Sequence, residues 1–116
     1  MNWEKIKNDV EKNGNIQTFS MEQLRNAHGV AKLGVRIRKE ISDALAGIGL
    51  GHVPMDLPSF QHEQVRLYKR GTKIGDLISM VLTPGEQNDM KLIEQFSEEI
   101  VEYQNIIQKI RELVVE

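Results

Sequence analysis

Apolar residues near the start of the chain recur three and four positions apart, as they do on one face of an amphipathic helix. They are Trp3, Ile6 and Val10. Asn2 can cap this helix, and the pair Asn13-Gly14 suits the left-handed turn in which many helices end. Residues 15–19 then alternate apolar and polar side chains, which predicts a short edge strand.

The next segment predicts a second, shorter helix. Ser20 and Gln23 have the spacing of a capping box, in which each side chain accepts a hydrogen bond from the other residue's free backbone N–H. Gly29 suits the end of this helix, because glycine adopts a left-handed conformation without steric cost. We therefore expect about two helical turns over residues 21–28.

A third helix is predicted to begin between residues 32 and 34 and to end near residue 46. Its basic residues cluster in its N-terminal half, and its apolar residues fall on the opposite face. Its two acids would repel phosphate, but each follows a basic residue by four positions, which is also the spacing of an ordinary surface salt bridge. The two pairs are Arg36 with Glu40 and Lys39 with Asp43. The apolar face comprises Ile37, Ile41, Ala44, Leu45 and Ile48.

Three glycines follow this helix, at positions 47, 49 and 51. Their spacing is similar to a dinucleotide-binding fingerprint, but they come after a helix and lead into Pro54, so the required strand–turn–helix order is missing. They predict a helix end and a tight turn instead. Residues 54–64 contain two prolines and are expected to form a loop. His and acidic residues in this region lack the spacing of a metal site, so no metal is expected.

The most convincing strand is predicted over residues 65–69, where Val65 and Leu67 face one side. Thr72 can cap a following helix over residues 73–82. The apolar residues of that helix form one stripe, which predicts that it closes the core. They are Ile74, Leu77, Ile78 and Val81.

Thr83-Pro84-Gly85 marks a boundary, after which the sequence becomes acidic and strongly periodic. Seven apolar residues are spaced alternately three and four apart, the heptad pattern of a coiled coil, and predict a helix from about Asn88 to Val115. The chain is therefore expected to consist of a domain over residues 1–83 and a dimerisation helix over residues 84–116. The alternative is that the helix packs back on its own domain. The expected dimer interface comprises Ile93, Phe96, Ile100, Tyr103, Ile107, Ile110 and Val114.

Composition fits a globular, water-soluble protein, with 40% hydrophobic and 28% charged residues. The absence of cysteine excludes disulfides and thiol chemistry and suits a reducing cytoplasm, which is the expected compartment. No signal peptide and no apolar run of membrane-spanning length is evident, so no membrane partner is expected.

Charge is divided unevenly along the chain. The net charge is −2, but residues 1–82 carry 12 Lys and Arg against 9 Asp and Glu, whereas residues 83–116 carry 3 against 8. A local basic patch can therefore attract a polyanion although the whole protein cannot.

The order of these elements resembles the winged helix-turn-helix family of DNA-binding proteins. The resemblance covers roughly residues 15–80 and rests on layout: the Ser20-capped helix, the Gly29 turn, the basic helix and the strand over residues 65–69. It implies a mainly α, α+β fold with three core helices and a small antiparallel sheet, and binding of double-stranded DNA. Two features depart from the family's layout. The loop before the strand is long and rich in proline, and one strand is evident where two or three are expected.

The expected DNA-binding residues lie on the basic helix and at the end of the strand. The basic helix would enter the major groove with its first turns. The basic strand end would contact phosphates as a wing, or it protects a sheet edge from aggregation. The residues expected to contact DNA are Lys32, Arg36, Arg38, Lys39, Ser42, Lys69, Arg70 and Lys73.

The sequence therefore predicts a DNA-binding transcriptional regulator or other DNA-associated protein, dimeric through its C-terminal helix. The alternative is a winged-helix adaptor that binds another protein, through the same C-terminal helix, and does not bind DNA. Neither a nucleophile motif nor a convergent set of acids and histidines is evident, so no enzymatic activity and no cofactor are expected.

Overall fold

The protein has a mixed α+β fold with a small antiparallel sheet. The computed structural model describes residues 2–95 together with Gln108. Helical backbone is also present over residues 86–95. In chain order the elements are α1 (Trp3–Lys12), β1 (Ile16–Ser20), α2 (Met21–His28), α3 (Val35–Gly47), β2 (Leu50–Val53), β3 (Gln64–Lys69) and α4 (Lys73–Leu82). The chain divides into two units, Met1–Ile78 and Ser79–Glu116, and the boundary between them lies within α4.

The sheet has three strands in the order β1-β3-β2, and both pairings are antiparallel. The strands predicted over residues 15–19 and 65–69 are confirmed to within one residue, and β1 lies at an edge as expected. The tight turn predicted after Gly47 is confirmed at Ile48 and Gly49, but the strand that begins at Leu50 and pairs with β3 was not predicted. In this register Leu50 lies opposite Lys69 and Val53 lies opposite Arg66.

The core lies between the sheet and helices α1, α2 and α3. The predicted apolar face of α3 is confirmed: Ile41 and Leu45 are fully buried, and Ile37 packs against the same cluster. The cluster consists of Trp3, Ile6, Val10, Phe19, Met21, Leu24, Ala27, Ile41, Leu45, Leu50, Leu57, Val65 and Leu67.

The prediction that α4 closes this core is wrong. Its apolar residues from Ile74 to Ile78 are only half-buried, and the one fully buried residue of α4 is Gly75. Gly75 is close to the end of β3, so the start of α4 is positioned by a close backbone approach. Ile74, Leu77 and Ile78 do not contribute to the cluster.

Among the residues that the structure describes, no helix combines the length and apolar character needed to cross a membrane.

The capping box at the start of α2 is confirmed. Ser20 Oγ accepts a hydrogen bond from the backbone N–H of Gln23 at 3.2 Å, and Gln23 Oε1 accepts one from the backbone N–H of Ser20 at 2.8 Å. Gly29 ends the helix with a φ of 76°, in the left-handed region. Both ends of α2 are therefore defined by local sequence.

Replacing Ser20 with alanine is expected to lower the free energy of unfolding by about 1 kcal/mol, because the N-cap hydrogen bond is lost. Asn2 provides a matched control, because it occupies the N-cap of α1 but its side chain makes no capping hydrogen bond. Asn2→Ala should therefore cost less than Ser20→Ala in urea denaturation. Equal losses in the two variants would show that the capping box contributes nothing specific.

Candidate nucleic-acid interface

The N-terminal half of α3 presents an exposed cationic surface. Arg36 has 87% of its side chain exposed, Lys39 is also exposed, and Lys32 is exposed just before the helix begins. Val35, in the first turn, is 77% exposed. These residues project from the helix because its opposite face, with Ile41 and Leu45, is fully buried in the core. The amphipathic pattern of α3 therefore places the predicted basic residues on the surface.

Glu40 is the only acidic group of α3 with hydrogen-bond and ion-pair contacts among the described residues. Its Oε1 lies 3.9 Å from Nε of Arg36, which is the salt bridge expected from their spacing. Its Oε2 lies 3.1 Å from Nε2 of His28, a buried residue of α2. His28 Nδ1 in turn accepts a hydrogen bond from Trp3 Nε1 at 3.3 Å. This network joins α1, α2 and α3, and Asp43 is exposed outside it.

Arg38 and Ser42 hold the segment between β2 and β3 against α3. Arg38 Nη1 donates to the carbonyl oxygen of Leu57 at 3.0 Å. Ser42 Oγ lies 2.8 Å from Nε2 of His52, whose Nδ1 lies 2.7 Å from the carbonyl oxygen of Pro54. A carbonyl can only accept, so Nδ1 carries the proton and Ser42 donates to Nε2. Both predicted DNA-binding side chains therefore already have partners within the protein.

The β2–β3 segment, residues 54–63, also contacts the start of α2. The backbone N–H groups of Met21 and Glu22 donate to the carbonyl oxygens of Glu63 and Gln61 at 2.9 and 3.0 Å. Leu57 is 5% exposed and belongs to the core cluster. This segment contains no Lys or Arg.

The predicted basic strand end, Lys69, Arg70 and Lys73, lies at the end of the sheet away from residues 54–63. Lys69 Nζ forms an ion pair with Glu11 at 3.0 Å and is half-buried, whereas Arg70 and Lys73 are exposed. The backbone N–H of Arg70 donates to the carbonyl oxygen of Gly49, two residues beyond the end of α3.

The two predicted basic groups are therefore near opposite ends of α3. Helix α3 has 13 residues. At 1.5 Å per residue, a helix of that length separates its ends by about 20 Å. The structure does not bring all eight predicted DNA-binding residues into one patch.

A groove of about 480 Å³ runs between α3 and residues 54–63. Val35, Lys39 and Ser42 line it from α3, and Met55, which is 69% exposed, lines it from the loop. The groove is thus partly apolar and lies beside the cationic surface.

Of the predicted dimer interface, Ile93 is described by the structure, and it is 66% exposed. Phe96, Ile100, Tyr103, Ile107, Ile110 and Val114 lie outside the described residues.

Comparisons with models of known protein families, with curated proteins and with solved structures found no match to this chain.

Sequence reasoning missed the contacts of Arg38 with Leu57, Glu40 with His28 and Ser42 with His52, because each joins residues 10 to 19 positions apart. The one sequence indication was at His28. It lies four positions after the buried Leu24, on the inward face of α2, where a buried polar side chain requires a partner.

Proposed function

We propose that the protein is a winged-helix DNA-binding protein that uses α3 as its recognition helix. The observation that carries this proposal is the exposed cationic N-terminal half of α3, directly opposite the buried face of the same helix. The element order, with a sheet in the order β1-β3-β2, supports it, because β2 supplies a strand that the sequence pattern lacked. A transcriptional regulator or another DNA-associated protein fits this arrangement.

Within this proposal, the exposed basic residues have different roles from the two residues of α3 whose side chains already form hydrogen bonds within the protein. Arg36 and Lys39, in the first turns of α3, contact base edges and the flanking phosphates of the major groove, and Lys32, three residues before the helix, contacts phosphate. Arg38 and Ser42 hold residues 54–63 against α3 and so contribute to the shape of the surface.

Phosphate contacts at the far end of α3 would come from the exposed Arg70 and Lys73. Lys69 is a weaker candidate, because its ammonium is paired with Glu11. In a winged helix the loop between the last two strands is the wing, but residues 54–63 contain no Lys or Arg to contact phosphate. The affinity for DNA should therefore depend on α3 and on Arg70 and Lys73, which follow the C-terminal end of β3.

One copy is expected to bind weakly, so the proposal includes a homodimer formed through the C-terminal heptads. Two copies joined in this way engage two half-sites, and the second contact forms at a high effective concentration.

Binding to a fluorescent 30-base-pair duplex, measured by anisotropy at two salt concentrations, tests the proposal. The dissociation constant should rise steeply with salt. Lys39→Gln should reduce the slope of log K against log salt concentration by about 0.9, which is the value for the loss of one phosphate contact on B-form DNA. Lys5→Gln is the matched control, because Lys5 is also exposed but lies on α1.

Lys5→Gln should leave the slope unchanged. Absence of salt-sensitive binding at micromolar protein would rule out the DNA-binding function. Equal loss of slope in both variants would rule out α3 as the recognition helix.

A second candidate function is a protein-interaction adaptor. It is favoured by the exposed Val35 and Met55 on either side of the groove, and by the lack of Lys and Arg in residues 54–63. Light scattering separates the two: a dimer supports the first proposal, whereas a stable monomer leaves the heptad face for a different protein.

A further inference from the structure

We propose that Glu40 limits DNA binding by competing with phosphate for Arg36, and that the buried pair Trp3 and His28 holds Glu40 in position to do so. This inference rests on the proposed function. It assigns a positioning role to Trp3 and His28 and a competing role to Glu40, none of which the DNA-binding proposal itself uses.

The tautomer of His28 follows from its two neighbours. The indole N–H of Trp3 can only donate, so Nδ1 of His28, 3.3 Å away, must accept and cannot carry a proton. The ring proton of neutral His28 is therefore on Nε2, which donates to Glu40 Oε2 at 3.1 Å. Trp3 thus selects the one neutral tautomer that can bind Glu40.

Burial makes this arrangement rigid. Trp3 is 9% exposed and His28 is 7% exposed, and their ring centroids are 5.8 Å apart. Glu40 is half-exposed, with one oxygen held by His28 and the other facing Arg36. A glutamate on an open helix surface samples many rotamers. Glu40 keeps its negative charge at a fixed place on the basic surface.

Arg36 is the side chain affected by this charge. Its side chain is 87% exposed and its Nε is 3.9 Å from Glu40, so the ion pair is weak and a phosphate can displace it. Phosphate binding must then overcome both the lost ion pair and the repulsion from a carboxylate that His28 prevents from turning away.

Asp43 provides the comparison within the same helix. It is exposed, lies one turn further along α3 and is not part of the Trp3–His28 network. General removal of negative charge should affect DNA binding similarly at both positions. Coupling to Arg36 is expected for Glu40 alone.

A double-mutant cycle tests this coupling, with affinity for the 30-base-pair duplex measured by anisotropy in the full-length protein. Glu40→Gln should tighten binding about two- to fivefold, the range that corresponds to an exposed ion pair. In an Arg36→Gln background the gain should fall by at least half. The gain from Asp43→Asn should be the same with and without Arg36.

The outcomes separate the two proposals. If no variant and no wild-type sample binds DNA, the proposed function fails. If the wild type binds DNA and the effects of Glu40→Gln and Arg36→Gln multiply independently, the role of Glu40 is overturned while DNA binding stands.

The tautomer is tested without DNA, by long-range ¹H–¹⁵N spectra of the His28 ring at neutral pH. We expect Nε2–H in the wild type and a mixture of tautomers in Trp3→Phe, which keeps an aromatic ring but removes the donor. A protonated Nδ1 in the wild type would overturn the positioning role of Trp3.

Discussion

Replacing Gly75 with alanine is expected to lower the free energy of unfolding by about 3 kcal/mol, at the upper end of the usual cost of overpacking. A Cβ atom at this position would lie far inside van der Waals contact of the Lys69 carbonyl oxygen and 2.9 Å from its carbonyl carbon. These are backbone atoms, so they cannot rotate away as the end of a side chain can. The strain must instead shift α4 away from the end of β3.

That shift would also break the hydrogen bonds that join the two elements. Thr72 Oγ donates to the Lys69 carbonyl oxygen at 2.6 Å and accepts from the backbone N–H of Gly75 at 3.1 Å. One hydroxyl thus connects the last residue of β3 to the first turn of α4. Moving Gly75 by the distance that a methyl group requires leaves the Gly75 N–H without this acceptor.

Gly47→Ala is the matched control for this prediction. Gly47 is also helical, it lies in the last turn of α3, and a Cβ there would meet no atom within 4 Å. Alanine is favoured over glycine in a helix by up to about 1 kcal/mol, so Gly47→Ala should be neutral or stabilising. Urea denaturation followed by circular dichroism measures both variants. Similar stability changes would contradict the close approach at Gly75.

The helices could be predicted from the sequence because their determinants are local. The spacing of Trp3, Ile6 and Val10 defines the buried face of α1, and all three are buried. Ser20 and Gln23 determine the start of α2 by satisfying each other's backbone groups. Periodicity and capping act within a few residues, so no knowledge of the rest of the fold is needed.

Strand β2 could not be predicted because its determinants are tertiary. Its four residues, LGHV, contain a glycine, and its first two residues are both buried, so the alternation typical of a strand is absent. It forms because β3 offers a free edge opposite β1. The same limit applies to α4, whose apolar stripe predicts burial although the core is completed by α1, α2 and α3.

In the candidate site too, the features set by local sequence could be predicted and the tertiary contacts could not. The exposure of Arg36 and Lys39 follows from helical periodicity once the buried face of α3 is known. The engagement of Arg38 with Leu57, 19 residues away, depends on how the β2–β3 segment folds back. A side chain's face can be predicted from sequence, whereas its partner across the fold cannot.

Gly51→Ala is the second substitution with a large expected effect, a loss of about 2–3 kcal/mol in the free energy of unfolding. Gly51 lies opposite Tyr68 in the β2–β3 register, and the Tyr68 ring lies over it. An added Cβ would be 2.6 Å from Cε2 of that ring. A tyrosine ring on the surface would swing aside at little cost, but Tyr68 is 4% exposed, so its movement must disturb its neighbours. Because the Tyr68 ring is buried, Gly51→Ala is expected to destabilise the protein.

A double-mutant cycle isolates this contact from other effects of the two residues. Tyr68→Ala alone is expected to cost about 3–5 kcal/mol, the usual loss for removing a buried aromatic side chain. With the ring gone, the methyl group added by Gly51→Ala no longer clashes and fills part of the space, so the double variant should be at least about 1 kcal/mol more stable than the sum of the single losses predicts. Additive losses in urea denaturation would mean that Gly51 is required for its backbone conformation and not for the ring that covers it.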